Sequence, residues 1–492
     1  MAKEQKFLAF DLGAESGRGV IGFFDGKKLR LEEINRFPTG GTRLAGSLYW
    51  DVLRMYDEMK RGIRIAVETH GKDIAGMGVD TWGVDFGLLG PNDTLLENPH
   101  CYRDSRIDGM MELAEQKLGR AYIYDQTGIQ FMPINTLYHM MALAQQNRWM
   151  LDIAKSMLLM PDLFNFFFTG SKACEFTNAT TTQFYNPREN SWAISLLERL
   201  DIPTHFLPDV VSPGTVLGDI RHSIVEELGV SPIPVIAPAT HDTGSAVAAV
   251  PAKGGDYAYI SSGTWSLMGV ESHQPMINEK ALGLNFTNEG GVEGNFRVLR
   301  NIMGLWLVQE CRRTWARQGR NFSYDELTDL ARKAEPFRSI IDPDDVSFLK
   351  PGDMPARIRE FCNNTGQPVP EDEGQVVRTA LDSLALKYRW VLERLEMLLG
   401  RNLSPIHIVG GGIQNKLLCQ LTANVTRKQV VAGPVEATAI GNVLVQALAL
   451  GSIGSITQGR EIVRNSFDLI TYDPQPDPRT DEAYLRFVQL LQ

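Results

Sequence analysis

Residues 7–24 read FLAFDLGAESGRGVIGFF: one short apolar run, Phe7 to Phe10, a small polar stretch, then a second apolar run, Val20 to Phe24. That pattern predicts strand, turn, strand. A plain surface hairpin closes with two residues, and this connection is longer. Gly13, Gly17 and Gly19 remove side chains, so that successive backbone N–H groups can face one concavity and hold an anion. Ser16 and Arg18 add donors. Asp11 places a carboxylate at the end of the first run, which suits a hydrated Mg²⁺ that bridges phosphates. Taken alone, the stretch fits an ordinary Gly-rich hairpin equally well.

Residues 257–270, YAYISSGTWSLMGV, repeat the pattern with Ser261, Ser262, Gly263 and Thr264 in the turn. Two such hairpins predict two related halves, each with a phosphate loop. No G-x-x-x-x-G-K-[ST] occurs, which excludes a P-loop as the nucleotide site. A chain of 492 residues predicts two or three domains. Its net charge of −10, without basic runs, argues against nucleic acid and against anionic membranes as partners. The cysteines Cys101, Cys174, Cys311, Cys362 and Cys419 are scattered, with no C-x-x-C. A reducing, cytoplasmic compartment is expected, with no disulfide framework or zinc site. MAKEQKF runs straight into the first strand, so no signal peptide is expected. No run approaches the ~20 apolar residues of a membrane span.

The other motifs follow in order. Asp51 caps a predicted helix to about residue 69, and a strand over residues 74–79 leads into Asp80-Thr81-Trp82-Gly83-Val84-Asp85. Two acids and an indole at a strand end suit a sugar, although a hairpin with a core tryptophan fits as well. Tyr102-Arg103-Asp104-Ser105-Arg106 opens a predicted helix, and helical patterns recur over residues 136–148, 154–168 and 192–200. Residues 175–185 read as strand or loop. Residues 234–250, PVIAPATHDTGSAVAAV, predict strand, junction, helix, with His241, Asp242 and Thr243 at the junction. A carboxylate there can take a proton from a substrate hydroxyl or simply cap the helix. Residues 301–315, NIMGLWLVQECRRTW, read as helix. A long helix ends at Gly400, and residues 406–415 predict strand, triple-glycine turn and helix, a shape that lets a base or ribose approach.

Together these residues resemble the FGGY carbohydrate kinase family, over nearly the whole chain and in the expected order. FDLGAESGR looks like its first phosphate motif, SSGTWS its second, VGGGIQN its adenosine motif, and ATHDTGSA carries its catalytic acid at Asp242. Within the family, DTWGVDF and NIMGLW look most like members acting on L-rhamnulose. The resemblance implies an α/β fold of two ribonuclease H-like, actin-like domains, residues 1–248 and 249–492. ATP is expected in the cleft between them, with the sugar and the catalytic acid on the first domain. It implies ATP and Mg²⁺, and transfer of the γ-phosphoryl group to the C1 hydroxyl. Ala14, Glu15, Ser16, Gly17, Arg18, Thr264, Gln309 and Gly411 would contact ATP. Gly83, His241, Asp242, Thr243 and Asn301 would contact sugar, and Asp11 and Asp242 would lie near the metal. Glu15 departs from the expectation of a small residue in the phosphate loop; it either points away or helps place metal. The expected partners are a ketose and ATP, with a monomer as the working form. The alternatives are a kinase for L-fuculose or xylulose, an actin-like ATP switch, and a sugar-responsive regulator.

Overall fold

In the computed structural model, which describes residues 4–492, the opening apolar run forms the strand Gln5–Leu12, buried from Phe7 onward. Met1, Ala2 and Lys3 of the N-terminal stretch lie outside the described residues. A strand so continuously apolar belongs in the middle of a sheet. It pairs antiparallel with Ser16–Phe24 and parallel with Gly76–Thr81, and Asp11 stands opposite Asp80 in the parallel register. The six-stranded sheet runs Val216–Asp219, Pro234–Ile236, Gly76–Thr81, Gln5–Leu12, Ser16–Phe24, Leu29–Pro38. The helix Val52–His70 begins where Asp51 accepts the Arg54 N–H and lies against the strands Ser16–Phe24 and Leu29–Pro38. The helix Ala437–Ala449 packs on the two central strands. Gly76 and Gly78 make room for it: a Cβ at Gly78 would stand 2.4 Å from Asn442 Oδ1.

The chain divides into two compact units, neither contiguous. The first comprises the chain up to Ala249 with Glu271–Val298 and Ala437–Ser466; the second comprises Val250–Val270, Leu299–Glu436 and Phe467–Gln492. A single cut after residue 248 would strand two segments of the first unit on the far side. In the second unit the strands follow the order Phe296–Met303, Trp265–Ser272, Ala258–Ser262, Ile406–Val409, Val430–Ala432, Ile470–Tyr472. Ala258–Ser262 again pairs antiparallel with its hairpin partner and parallel with the next crossover strand. The hairpin-plus-parallel-strand plan of the first unit thus recurs, as the paired motifs predict. The helix Glu373–Leu399 ends where Gly400 takes a left-handed φ of 69° and returns its N–H to Glu396.

Four local expectations change. Asn301 lies on the strand Phe296–Met303, and the helix starts only at Trp306, after a corner at Gly304. Residues 154–168 open with the strand Ser156–Leu159, and the helix is Met160–Thr169. After Asp104 the chain makes one short 3-10 turn, and the helix Met110–Leu118 waits for the left-handed Gly109. Residues 175–185 are mostly short helical turns, Phe176–Ala179 and Thr180–Thr182. All five cysteines are free and buried. Among the described residues no helix is long and apolar enough to cross a membrane.

Candidate active site

In the first unit, parallel pairing gathers three acids at the carboxyl ends of neighbouring strands, where open α/β sheets bind ligands. Asp11 and Asp80 end two paired strands, and Thr81 bridges to His241, which immediately precedes Asp242. Arg18 donates twice to Asp11 Oδ2, from Nε at 3.1 Å and Nη2 at 2.6 Å. Asp80 is fully buried and accepts the Asn442 amide at 2.6 Å. Burial, then the Asp11 charge, holds its carboxyl well above the usual carboxylate range. Asp242 stands at the first position of the helix Asp242–Ala248, and the cap position is His241. Its side chain keeps 30% exposure. Burial raises its pKa and the Asp11 charge adds to the rise, while His241 works against it. Thr243 Oγ1 donates to Asp242 Oδ1 at 3.1 Å.

The junction before Asp242 is held from below. Glu175 is buried and accepts from the backbone N–H and hydroxyl of both Thr177 and Thr240. Thr177 Oγ1 in turn takes the His241 N–H at 3.2 Å. Nothing in the sequence marks Glu175 for this part except that it is a lone acid entering a run of Thr and Asn.

The first hairpin reads differently from expectation in one respect. A Cβ at Gly17 would meet the Phe37 ring at 2.7 Å, and one at Gly19 would meet Asn35 Oδ1 at 2.6 Å. These glycines serve strand packing. The turn itself is Gly13, Ala14 and Glu15, closed by Gly13 N–H to Ser16 O, and the Glu15 carbonyl takes the Thr39 N–H. Ala14, Glu15, Ser16 and Arg18 are each partly exposed. At the second strand end, Trp82 is 6% exposed, and Trp82 and Trp50 donate to one oxygen of Asp85 at 2.8 and 2.6 Å. Trp82 and Asp85 are therefore core, as the plainer reading of that motif allowed, and Gly83 beside them stays partly exposed.

The second unit gathers the remaining motifs. A Cβ at Gly412 would fall 2.0 Å from Ser262 Oγ, so the triple-glycine turn lies directly on the second hairpin. Gly411 has nothing within 4 Å, and Gly263 has only one carbonyl, at 3.9 Å. These two backbone positions are open where their neighbours are packed. The carbonyls of Gly263 and Thr264 receive the N–H groups of Leu305 and of Gly304 and Trp306. The NIMGLW corner is thereby docked on the hairpin turn, next to Asn301. Gln309 Oε1 is buried without a hydrogen-bond partner among the described residues.

Hard carboxylate oxygens gathered in one place, where the Asp11 charge adds to the rise that burial gives Asp80 and Asp242, fit Mg²⁺. That ion takes one or two carboxylates and completes its shell with phosphate and water. Among the described residues no three His, Cys, Asp or Glu groups are placed to hold a metal by themselves.

Comparison with known proteins matches residues 7–249 to the N-terminal domain, and residues 258–450 to the C-terminal domain, of the FGGY family of carbohydrate kinases. A rhamnulokinase of Bacteroides thetaiotaomicron is 45% identical over 98% of this chain and 99% of its own. A rhamnulokinase of Oceanobacillus iheyensis is 44% identical over 95% of this chain and 98% of its own. Among solved structures, a gluconate kinase from Lactobacillus acidophilus superposes with a TM-score of 0.79 at 18% identity, covering 99% of this chain and 97% of its own. A ligand-bound xylulose kinase from the same organism gives a TM-score of 0.77 at 18% identity over the same shares of each chain. At that identity the likeness is one of fold: two α/β domains of the actin-like ATPase kind.

Proposed function

The chain belongs to the FGGY family of carbohydrate kinases, and from that premise we propose that it transfers the γ-phosphoryl group of ATP to the C1 hydroxyl of L-rhamnulose. The observation that carries this reading is the 45% identity to a rhamnulokinase across 98% of the chain. Asp242 is the general base. Its carboxylate takes the C1 hydroxyl proton as that oxygen attacks the γ-phosphorus, and ADP departs. Phosphoryl transfer asks mainly for positioning and charge neutralisation, and the remaining residues divide that work. Gly83, His241, Thr243 and Asn301 orient the sugar. Ala14, Glu15, Ser16, Arg18 and Thr264 hold phosphates, and Gln309 and Gly411 hold the rest of the nucleotide. The open backbone at Gly411 and the buried oxygen of Gln309, without a hydrogen-bond partner among the described residues, support these nucleotide assignments. Mg²⁺ beside Asp11 and Asp242 supplies charge neutralisation when bound. Five free thiols suit a reducing, cytoplasmic setting, and a monomer suffices, since one chain supplies every residue named.

The test is a coupled ADP-release assay with ATP, Mg²⁺ and a panel of ketoses, with the product's phosphorylated carbon fixed by ³¹P–¹H correlation. L-Rhamnulose should give the highest kcat/KM and a 1-phosphate. Higher kcat/KM with L-fuculose or xylulose would move the substrate, and ATP hydrolysis indifferent to every ketose would remove the kinase reading.

A further inference from the structure

Arg297 is a fully buried guanidinium in the first unit to which the proposed reaction assigns no part. Its side chain is 0% exposed, and that of its ion-pair partner Glu289 is 5% exposed, with Nη2 and Oε2 3.2 Å apart. Arg297 Nε donates to the Gly290 carbonyl at 2.7 Å. Its Nη2 lies 3.0 Å from His241 Nδ1. Burying such a pair is costly, and pairing alone seldom repays the desolvation.

The contact with His241 has a definite chemical sense. A guanidinium only donates hydrogen bonds, so His241 Nδ1 must accept and therefore be bare. A neutral imidazole then carries its proton on Nε2. Nε2 stands 3.6 Å from Asp242 Oδ1, too far for a hydrogen bond of its own. Glu289 Oε2 is 3.3 Å from the same Nδ1, but an acceptor gains nothing from a bare nitrogen. Its charge serves Arg297.

We propose that Arg297, neutralised by Glu289, locks His241 as the Nε2–H tautomer, so that a hydrogen-bond donor for a sugar oxygen stands beside the Asp242 carboxylate. The ligand in this proposal rests on the sugar-kinase reading above; the tautomer does not. Arg297 and Glu289 act through His241 and are positioning residues. The pairing has a use for a polyol. Asp242 accepts from one hydroxyl while His241 donates to a neighbouring oxygen. In the opposite tautomer two acceptors would face the sugar, and Arg297 Nη2 would lose its acceptor on His241. A site built to donate to a particular oxygen rejects analogues that lack it.

The tautomer is read directly by two-bond ¹H–¹⁵N correlation on the ¹⁵N-histidine-labelled full chain, with His241 assigned by its loss in His241→Asn. The expected spectrum shows Nδ1 as a bare nitrogen and Nε2 as protonated. A proton on Nδ1 overturns the proposal whatever the activity. In Arg297→Met the donor is gone and Nδ1–H can turn to Glu289, so the tautomer should reverse. The ketose KM should then rise about tenfold, the loss of one hydrogen bond, with the ATP KM unchanged. Arg297→Lys keeps a donor and should restore both the tautomer and most of the KM. Equal rises in both KM values, or a Lys variant as impaired as Met, would make Arg297 a packing residue and overturn the proposal. If the Met variant does not fold, the wild-type spectrum still decides. An Nε2–H tautomer in a chain that turns over no ketose would retain the lock and overturn its sugar ligand.

Discussion

Two carboxylates in the first unit, one partly exposed and one buried, predict opposite outcomes on substitution by the amide. Asp242 keeps 30% exposure and sits at the first position of its helix, free of the cap role that His241 occupies. An asparagine there keeps the shape and loses the proton acceptor. Asp242→Asn should therefore lower kcat by roughly 10²–10⁴-fold, the usual share of a general base, while ATP affinity measured by calorimetry stays within about twofold. A variant turning over within a few-fold of wild type would leave Asp242 without a catalytic part. Asp85 is 2% exposed, and burial pushes its carboxyl up to about 7 against the pull of the Trp82 and Trp50 hydrogen bonds. A carboxyl raised on folding binds its proton more tightly in the native state. Its stability contribution is full below the unfolded pKa near 4 and is lost as pH rises towards 7. The whole span is on the order of 4 kcal/mol. Asp85→Asn, which still accepts from both indoles, should flatten that part of the denaturation profile and stabilise the chain at pH 8 relative to wild type. A wild-type-minus-variant difference in urea midpoint that does not change between pH 4 and 8 would show that Asp85 stays ionised. The acid at residue 242 was legible from the sequence because it sits in a motif. The Glu289–Arg297 pair and Glu175 were not, because each acts on the His241 junction from a segment 48 to 66 residues away, without a local pattern.

Among the elements, the triple-glycine turn separates ligand contact from packing within two residues. Gly411 is open and Gly412 is pressed on Ser262. Gly411→Ala should fold with an unchanged Tm and lose ATP affinity, since the added Cβ meets no protein atom within 4 Å. Gly412→Ala should do the reverse first, lowering Tm, because its Cβ would lie 2.0 Å from Ser262 Oγ. Thermal melts beside nucleotide titrations check both, and equal losses of Tm in the two variants would remove the distinction. The elements whose period is carried by one buried face, such as Val52–His70 and Glu373–Leu399, were readable in advance with their caps at Asp51 and Gly400. NIMGLW was not. Its apolar residues suit helix and strand alike, and only the hairpin carbonyls that receive Gly304, Leu305 and Trp306 decide where the helix starts. Gly17 and Gly19 carried a second ambiguity. A small residue looks the same in sequence whether it admits a phosphate or a phenyl ring, and here the ring of Phe37 and the amide of Asn35 take the space.

At the scale of the molecule, the first unit is completed by a helix almost 200 residues beyond the proposed domain cut. Within Ala437–Ala449, Asn442 donates to Asp80 at 2.6 Å, and Gln446 donates to the Leu8 carbonyl at 3.0 Å. Gly441 sits against the Ser245 carbonyl so closely that a Cβ would fall 1.8 Å from it. Apolar Ile440, Val443, Leu444 and Ala447 on the same helix are buried. A fragment of residues 1–248 loses all of this. Asp80 would lose the amide that answers it, and the central strands would present an apolar face to water. The fragment should be insoluble, or soluble without a cooperative unfolding transition, although it spans nearly all of the matched N-terminal domain, residues 7–249. Fusing residues 271–298 and 437–466 back through flexible linkers, to restore the whole first unit, should recover solubility and a sigmoidal urea curve. In the full chain, Gly441→Ala tests the same contact by one methyl group. Overpacking of about 1–3 kcal/mol corresponds to a Tm lower by roughly 1–5 °C for a unit of this size. A 1–248 fragment that unfolds cooperatively, or a Gly441→Ala chain that melts with wild type, would mean that the helix rests on a unit already complete without it.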